Sequence, residues 1–284
     1  MDAPLLAETA DGVRLALRRF APRGSGRGAA LLTHAMMADG RYFHAGGDGF
    51  AAALAGHGLD VFVLDWRGHG ASKPPDPRRD RWSFDDHVAV DLPAALAAVA
   101  RAAGCAPADV GVLGHSLGGL VTLAALGTGV VRVRRLVLAA TSVWLPGTRG
   151  PWARRALIRL YGGVAAALGH APIRRLRLGS EDEQAGYVGQ LTGWARTGRW
   201  TSLGGVDYLA ALAAVDVPAW AVVGAGDRLC RPADADAIRA RVRGAPPLRV
   251  VGRAAGDALD PDHFTLFTRP TMAPVWAEIA AHLA

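Results

Sequence analysis

Short apolar runs alternate along the chain with longer apolar stretches of helical spacing. The short runs lie at residues 29–32, 61–64, 109–113, 136–140, 219–223 and 248–251. Runs of this length, bounded by glycines and polar turns, are typical of strands that are buried on both faces. Residues 117–126 and 272–283 have the length and apolar density of packed helices. The alternation predicts a doubly wound, mostly parallel α/β sheet, and the period of Val13 to Phe20 predicts a further strand at its edge.

One segment interrupts this alternation. After residues 136–140, the expected sixth strand, apolar helical stretches are mixed with arginines and tryptophans, and the α/β pattern resumes at Val217. We therefore expect a helical cap at residues 142–205, inserted after strand 6 over the carboxyl ends of the strands, where open α/β sheets bind ligands. Residues 1–141 and 206–284 then form the two parts of one α/β core.

A serine lies between glycines where a predicted strand meets a predicted helix, in the run Gly114-His115-Ser116-Leu117-Gly118. The pattern predicts that Ser116 occupies a sharp turn in a sparsely allowed backbone region, with its hydroxyl exposed as a nucleophile. Flanking glycines would let the strand and helix cross closely, and the Leu117 N–H would face any negative charge that develops beside the serine. The alternative is a glycine-rich turn with an idle serine.

Three further segments occur in the order that a nucleophilic serine requires. Met36, in the loop after residues 29–32, is the candidate for a second backbone N–H donor to an oxyanion. Asp227 follows residues 219–223, and His263 precedes the terminal helix. A serine hydroxyl needs a base to accept its proton, and the base needs a carboxylate to fix its tautomer. Asp262 is the alternative carboxylate, but we favour Asp227 because acid and base normally come from different loops.

These motifs resemble those of the α/β-hydrolase superfamily over nearly the whole chain. His34-Ala35 resembles the His-Gly pair of that family's oxyanion loop, with alanine in place of glycine, and the runs D-W-R-G-H-G-A-S and G-A-G-D-R-L-C-R-P resemble its loops after two strands. The cap-bearing branch of lipases, esterases and bacterial hydrolases is the most similar. The resemblance implies an eight-stranded α/β-hydrolase fold and a Ser-His-Asp hydrolase that works without a cofactor. Ser116 occupies the position of that family's nucleophile. A serine at this position argues against the dehalogenase and epoxide hydrolase branches, which have aspartate there.

The expected activity is hydrolysis of small to medium carboxylic esters through an acyl-enzyme. The same three residues also serve acyl transfer and the hydrolysis of thioesters, amides, lactones and some C–C bonds, so these alternatives stay open. A binding protein that retains the three residues is a third alternative. Five residues are candidates for pocket walls: His34, Ala35, His115, Trp144 and Cys230.

The amino-acid composition limits the kinds of binding partner to be expected. The net charge of +7 could indicate a nucleic-acid-binding protein. Lys73 is the sole lysine and asparagine is absent, however, so the arginines reflect codon usage in part. No nucleic-acid-binding motif occurs, and we therefore expect no nucleic-acid partner. Cap arginines are expected to form a solvated face, with recruitment of anionic substrates or membrane surfaces as the alternative. The histidines lack metal-ligand spacing. Without a signal-peptide pattern or a membrane-length apolar run, and with only Cys105 and Cys230, we expect a soluble, cytoplasmic protein.

Overall fold

A single mixed sheet organises the protein, for which the computed structural model describes residues 4–44, 49–143 and 152–284, with the backbone alone at 152–155. Within these residues the main sheet has eight strands in the order β1-β2-β4-β3-β5-β6-β9-β10. The strands are β1 Leu5–Glu8, β2 Arg14–Phe20, β3 Ala29–Thr33, β4 Asp60–Leu64, β5 Gly111–His115, β6 Arg135–Ala139, β9 Ala219–Gly224 and β10 Leu248–Val251; β7 His170–Ala171 and β8 Glu183–Gln184 form a separate pair. The expected eight-stranded, mostly parallel α/β fold is confirmed.

Helices cover both faces of the sheet. The helices of the described residues are α1 Phe50–Gly56, α2 Phe84–Asp86, α3 Leu92–Ala103, α4 Leu117–Gly127, α5 Trp152–Leu168, α6 Ala185–Thr197, α7 Tyr208–Ala211, α8 Pro232–Arg239, α9 Thr265–Thr268 and α10 Ala273–Leu283. Strand β3 shows why two layers are needed: Leu31 belongs to the core on one face, while Ala30 and Leu32 belong to the core on the other. Side chains of a strand alternate between faces, so a strand with apolar side chains on both faces requires cover on both. None of the helices in the described ranges is long and apolar enough to cross a membrane.

The amino-terminal edge differs from the sequence expectation. The strand predicted from Val13 to Phe20 begins at Arg14, and it lies inside the sheet because β1 pairs with it antiparallel, placing Leu5 opposite Leu17. On its other side β2 pairs antiparallel with β4. The segment Leu5–Glu8 is too short to show a clear alternating period. The sequence therefore predicts β2 as the edge strand, whereas the edge strand in the structure is β1.

The carboxyl ends of the central parallel strands meet at one rim of the sheet. Thr33 of β3 lies opposite Gly114 of β5, and His115 lies opposite Ala139 of β6. The loops that follow these strands, together with the loop after β9, therefore come together in space although they are far apart in sequence.

The chain between β6 and β9, called here the β6–β9 segment, contains α5, β7, β8, α6 and α7 in its described part. Its helices α5 and α6 pack on each other, and aromatic rings anchor the segment to α2. Phe84 of α2 makes edge-on ring contacts with Trp194 (4.9 Å between ring centroids) and Tyr208 (5.7 Å). Trp200 is fully buried in the same cluster. These aromatic side chains serve packing, as expected for large apolar residues at an interface between helices.

Candidate active site

Ser116 occupies the turn between β5 and α4 with φ +53° and ψ −108°. This left-handed region is unfavourable for a residue with a side chain, and residues held there commonly lie at functional sites. Two backbone hydrogen bonds hold the turn: the Ser116 N–H donates to the Ala139 carbonyl (2.9 Å), and the Ser116 carbonyl accepts from the Leu120 N–H (3.1 Å). The strained serine thus sits at the amino terminus of a buried helix.

Glycines make the turn sterically feasible. A Cβ added to Gly114 would lie 2.5 Å from the Cα of Gly119, and one added to Gly118 would lie 2.6 Å from the carbonyl oxygen of Thr33. A Cβ does not approach other atoms this closely, so β5, α4 and β3 reach their observed separation only with glycine at both positions. The predicted close crossing of strand and helix is present.

The loop after β3 brings Met36 and Met37 to the same rim. His34 in this loop is completely buried; its Nδ1 donates to the Ala35 carbonyl (2.7 Å), and its Nε2 accepts from the Trp66 N–H (3.0 Å). Burial, assisted by the nearby His69, lowers the pKa of His34 to about 3, so the ring is neutral. Because the Ala35 carbonyl and the Met36 N–H belong to one planar peptide, the His34 bond fixes the direction of that N–H. The Met36 N–H has no acceptor among the described residues.

Tyr42 connects this loop to the end of β5. Its hydroxyl oxygen accepts from the Ala35 N–H (3.1 Å) and lies 2.7 Å from Nδ1 of His115. His115 is fully buried, and burial together with the neighbouring His263 lowers its pKa well below the ordinary value. A neutral ring with Nδ1 as acceptor satisfies this bond. Tyr42 therefore ties the backbone of one candidate oxyanion-hole loop to the residue that precedes Ser116.

Asp227 and His263 are directly hydrogen bonded. The distance from His263 Nδ1 to Asp227 Oδ2 is 2.7 Å, and both side chains are almost completely buried. The other oxygen of Asp227 accepts the N–H groups of Leu229 and Cys230, each at 2.8 Å. The carboxylate is thus held on both oxygens, and Nδ1 of the imidazole faces it as the donor.

Close backbone packing puts the two loops together. A Cβ on Gly226 would lie 2.6 Å from the carbonyl oxygen of Asp260, and the Gly226 N–H donates to the Pro261 carbonyl (3.2 Å). Asp262, the alternative acid in the sequence, points elsewhere: its Oδ1 accepts the N–H groups of Phe264 (3.1 Å) and Thr265 (2.8 Å) at the start of α9. Its contact with the backbone at that helix leaves the imidazole to Asp227.

His263 also packs beside the serine turn, because its ring centroid lies 4.6 Å from that of His115, the residue before Ser116. Within the described residues, no hydrogen bond joins the Ser116 hydroxyl to His263. Such bonds are often long or poorly aligned without substrate and shorten in the substrate complex. The structure therefore brings the serine turn, the imidazole and the carboxylate together at one rim, with the Asp227–His263 bond formed.

The candidate wall residues divide into two groups. His34, Ala35, His115 and Cys230 are all at most 1% exposed, so they support the loops from within and present almost no surface to solvent. Trp144 lies outside the described residues. A separate cleft of about 460 Å³ is lined by residues of β2, β4 and the β6–β9 segment, including Arg18, Asp65 and Arg174; Ser116, Asp227 and His263 are not among its lining residues.

Sequence reasoning missed two residues that shape this site, Tyr42 and Glu183. The Glu183 carboxylate accepts the N–H of Met37, next to the candidate donor Met36. Neither residue carries a local motif, and each acts on a partner far along the chain. No group of three or more metal-ligating side chains was found among the described residues.

The fold and this rim define the class of the protein, an α/β hydrolase. The family model described as serine aminopeptidase, S33, matches residues 34–247, and the chain belongs to this family. The matched range includes Ser116 and Asp227 and ends before His263.

Individual relatives agree with the class. Over 109 residues the chain is 36% identical to an N-formylmaleamate deformylase of Pseudomonas putida, a match that spans 37% of this chain and 37% of that relative. An esterase from Exiguobacterium antarcticum has a similar structure (TM-score 0.65, 15% identity, 98% of this chain and 99% of that one). So does the enol-lactonase from Burkholderia xenovorans (TM-score 0.64, 17% identity, 98% and 99%). At these identities the structural matches show the shared fold.

Proposed function

We propose that the protein is a serine hydrolase that cleaves carboxylic esters of small to medium size through Ser116, His263 and Asp227. The observation that carries the proposal is the buried hydrogen bond between His263 Nδ1 and Asp227 Oδ2 at 2.7 Å, beside a serine in a strained turn. A carboxylate held on both oxygens keeps the imidazole in the tautomer whose Nε2 can accept a proton.

The reaction proceeds in two steps, acylation of Ser116 and hydrolysis of the acyl-enzyme. The Ser116 hydroxyl attacks the ester carbonyl carbon as His263 accepts its proton, and the carbonyl oxygen becomes an oxyanion. Two backbone N–H groups stabilise that charge, those of Met36 and Leu117. His263 then returns the proton to the departing alcohol, leaving an acyl-enzyme, and a water molecule repeats the sequence to release the acid and regenerate Ser116. Oxyanion donors of this kind each contribute about 3–4 kcal/mol to the transition state.

We further propose that residues 142–205 act as a cap that limits the length of the acyl group. The aromatic cluster around Phe84 and Trp194 fixes part of this segment to the core. Ser180, Glu181 and Glu183 of the same segment hydrogen bond to the backbone of Met37. A packed cap gives a closed pocket, which favours monomeric substrates of limited size.

Hydrolysis of an N-formyl amide is the second candidate function. It is favoured by the 36% identity with an N-formylmaleamate deformylase, which concerns about a third of each chain. The same serine, imidazole and carboxylate can cleave a C–N bond, because His263 can protonate a departing amine as it protonates an alcohol.

Fluorophosphonate labelling and a substrate panel test the proposal together. Wild type is expected to gain one label and to hydrolyse p-nitrophenyl acetate or butyrate, whereas Ser116→Ala gains no label and loses about 10⁴-fold or more in kcat. Ser25→Ala, which alters an exposed serine, is the matched control and should behave as wild type. An unlabelled wild type, or an active Ser116→Ala, would contradict a serine hydrolase. A higher kcat/KM on N-formyl amides than on the esters would favour the second candidate.

A further inference from the structure

The backbone of Met37 is anchored by the β6–β9 segment. Met37 adopts φ +61°, an unfavourable conformation for a residue with a side chain. Its N–H donates to Oε1 of Glu183 (2.5 Å). Its carbonyl accepts the N–H groups of Ser180 (2.9 Å) and Glu181 (3.3 Å). Three residues of this segment, Ser180, Glu181 and Glu183, therefore supply every hydrogen bond that the Met37 backbone makes among the described residues.

Glu183 is a completely buried carboxylate, and its second oxygen faces His69. The distance from Glu183 Oε2 to His69 Nε2 is 3.3 Å, with both side chains at 0% exposure. His69 Nδ1 lies 2.9 Å from the Arg67 carbonyl and donates to it, so Nε2 is the nitrogen left for Glu183. Burial opposes a charge on His69, but the Glu183 carboxylate outweighs it and raises the pKa of His69 to about 9. A cationic His69 holds the carboxylate from one side while Met37 binds it from the other.

This anchor lies one peptide away from the candidate oxyanion donor. The bond from His34 to the Ala35 carbonyl fixes the peptide that carries the Met36 N–H, and the bond from Met37 to Glu183 fixes the next peptide. The two peptide planes that meet at the Cα of Met36 are therefore both held, and this fixes the direction of the Met36 N–H. A hydrogen bond to an ionised acceptor is roughly twice as strong as a neutral one, which suits the task of holding a strained loop.

We propose that Glu183 is a positioning residue for the oxyanion hole: its carboxylate, bonded to the Met37 N–H, aims the Met36 N–H at the developing oxyanion. The inference rests on the proposed serine-hydrolase function and adds to it a dependence of the chemical step on one buried side chain of the β6–β9 segment. Glu183 has no contact with substrate in this role.

Three substitutions separate the functions of the carboxylate. Glu183→Met keeps the length of the side chain and removes the acceptor. Glu183→Asp keeps the charge but withdraws it from Met37 by one methylene. Glu183→Gln restores a neutral acceptor for Met37 and presents an amide N–H to a neutral His69. The matched control is Asp182→Ala, which removes another buried carboxylate of the segment, one bonded to the Arg174 N–H (2.9 Å) rather than to Met37.

The readouts are kcat and KM on p-nitrophenyl butyrate, and the inhibition constants of a trifluoromethyl ketone and its methyl ketone counterpart. The trifluoromethyl ketone is attacked by the serine and forms an oxyanion, whereas the methyl ketone reports ground-state binding. Glu183→Met and Glu183→Asp should lower kcat about 10–10²-fold, below the 10²–10³ typical of deleting a donor outright. Both variants should raise the inhibition constant of the trifluoromethyl ketone by the same factor. KM and the inhibition constant of the methyl ketone should stay within about two-fold of the wild-type values. Glu183→Gln should recover most of the loss, and Asp182→Ala should match wild type.

Two outcomes would overturn the inference: folded Glu183→Met or Glu183→Asp protein with wild-type kcat, or equal losses for both ketones. Either result, with wild type still labelled by fluorophosphonate, would count against the role of Glu183 alone. An unlabelled, inactive wild type would instead remove the proposed function on which the inference rests.

Discussion

Replacing Asp227 with asparagine should change which nitrogen of His263 carries the proton. In the native site one carboxylate oxygen accepts from the N–H groups of Leu229 and Cys230, and the other accepts from His263 Nδ1. An asparagine has only one oxygen. If that oxygen stays with the two backbone donors, its NH₂ group faces Nδ1, which must then become an acceptor. The proton moves to Nε2, and the imidazole can no longer take the proton of Ser116.

The magnitude follows from the cost of the alternative orientation. Turning the amide so that its oxygen faces His263 would break the two hydrogen bonds that this oxygen accepts from the backbone N–H groups. Each such loss costs about 1–3 kcal/mol for a buried donor, or about 4 kcal/mol for the pair. Since 1.36 kcal/mol corresponds to a factor of ten in rate, the productive orientation is rarer by about 10³. We therefore expect Asp227→Asn to lower kcat by about 10³–10⁴, in line with the effect of the same change in another serine hydrolase triad.

The assay compares Asp227→Asn with Asp262→Asn on a p-nitrophenyl ester, and ¹H–¹⁵N spectra of the histidine side chains report the tautomer. The Oδ1 of Asp262 accepts the N–H groups of Phe264 and Thr265. The side-chain oxygen of asparagine can accept the same bonds, so Asp262→Asn should keep kcat within about two-fold. The proposed change of tautomer is refuted if Asp227→Asn retains more than about a tenth of kcat or if Asp262→Asn loses more activity than Asp227→Asn. It is also refuted if Asp227→Asn loses activity while His263 keeps its proton on Nδ1.

Four further outcomes are expected. The pKa of His69, raised to about 9 in the folded state from about 6.5 unfolded, contributes stability that is full below pH 6.5 and lost as pH rises through 9. In wild type, the free energy of unfolding measured with urea should decline by about 3 kcal/mol across that range. An equal decline in His69→Gln would show that His69 is not its source. Tyr42→Phe leaves the Ala35 N–H without its acceptor and should cost about 1–3 kcal/mol in unfolding free energy; an unchanged Tm would contradict this. Gly118→Ala should destabilise by about 1–3 kcal/mol or more through overlap with β3, while Gly163→Ala, with open space around it, should be neutral or stabilising by thermal unfolding. Along a p-nitrophenyl ester series kcat/KM should peak at short to medium acyl groups, and sharp activation at a lipid interface would instead indicate a lipase with a mobile lid.

Local sequence signals predict the parts of the candidate site that depend on neighbouring residues. The strand–turn–helix at Ser116 was readable because apolar period, glycine spacing and helix length coincide within a short stretch. Asp227 was readable because it follows a buried strand directly. The same reasoning separated it from Asp262, since a residue adjacent to His263 in sequence is committed to its own loop.

Contacts between distant parts of the chain were not readable. Tyr42 bonds a residue 73 positions away, and Glu183 bonds one 146 positions away. In sequence Tyr42 is an aromatic residue in a polar loop and Glu183 an acid in a charged stretch, and neither follows a period. The edge of the sheet was misplaced for a related reason: β1 becomes a strand through pairing with β2, because its four residues carry too little pattern of their own.

The pairing of β6 with β9 has a consequence for how such a protein can be recombined. The two strands are parallel neighbours, with Leu136 opposite Ala219, and a crossover of about a dozen residues is enough to join strands of this kind. The chain between them is much longer, so most of it is surplus to the sheet and could be exchanged as a block without changing strand register. A grafted block would still have to present an acceptor to the Met37 N–H. Libraries that shuffle this stretch between homologous scaffolds should therefore separate into members with higher and lower kcat according to whether that acceptor is restored.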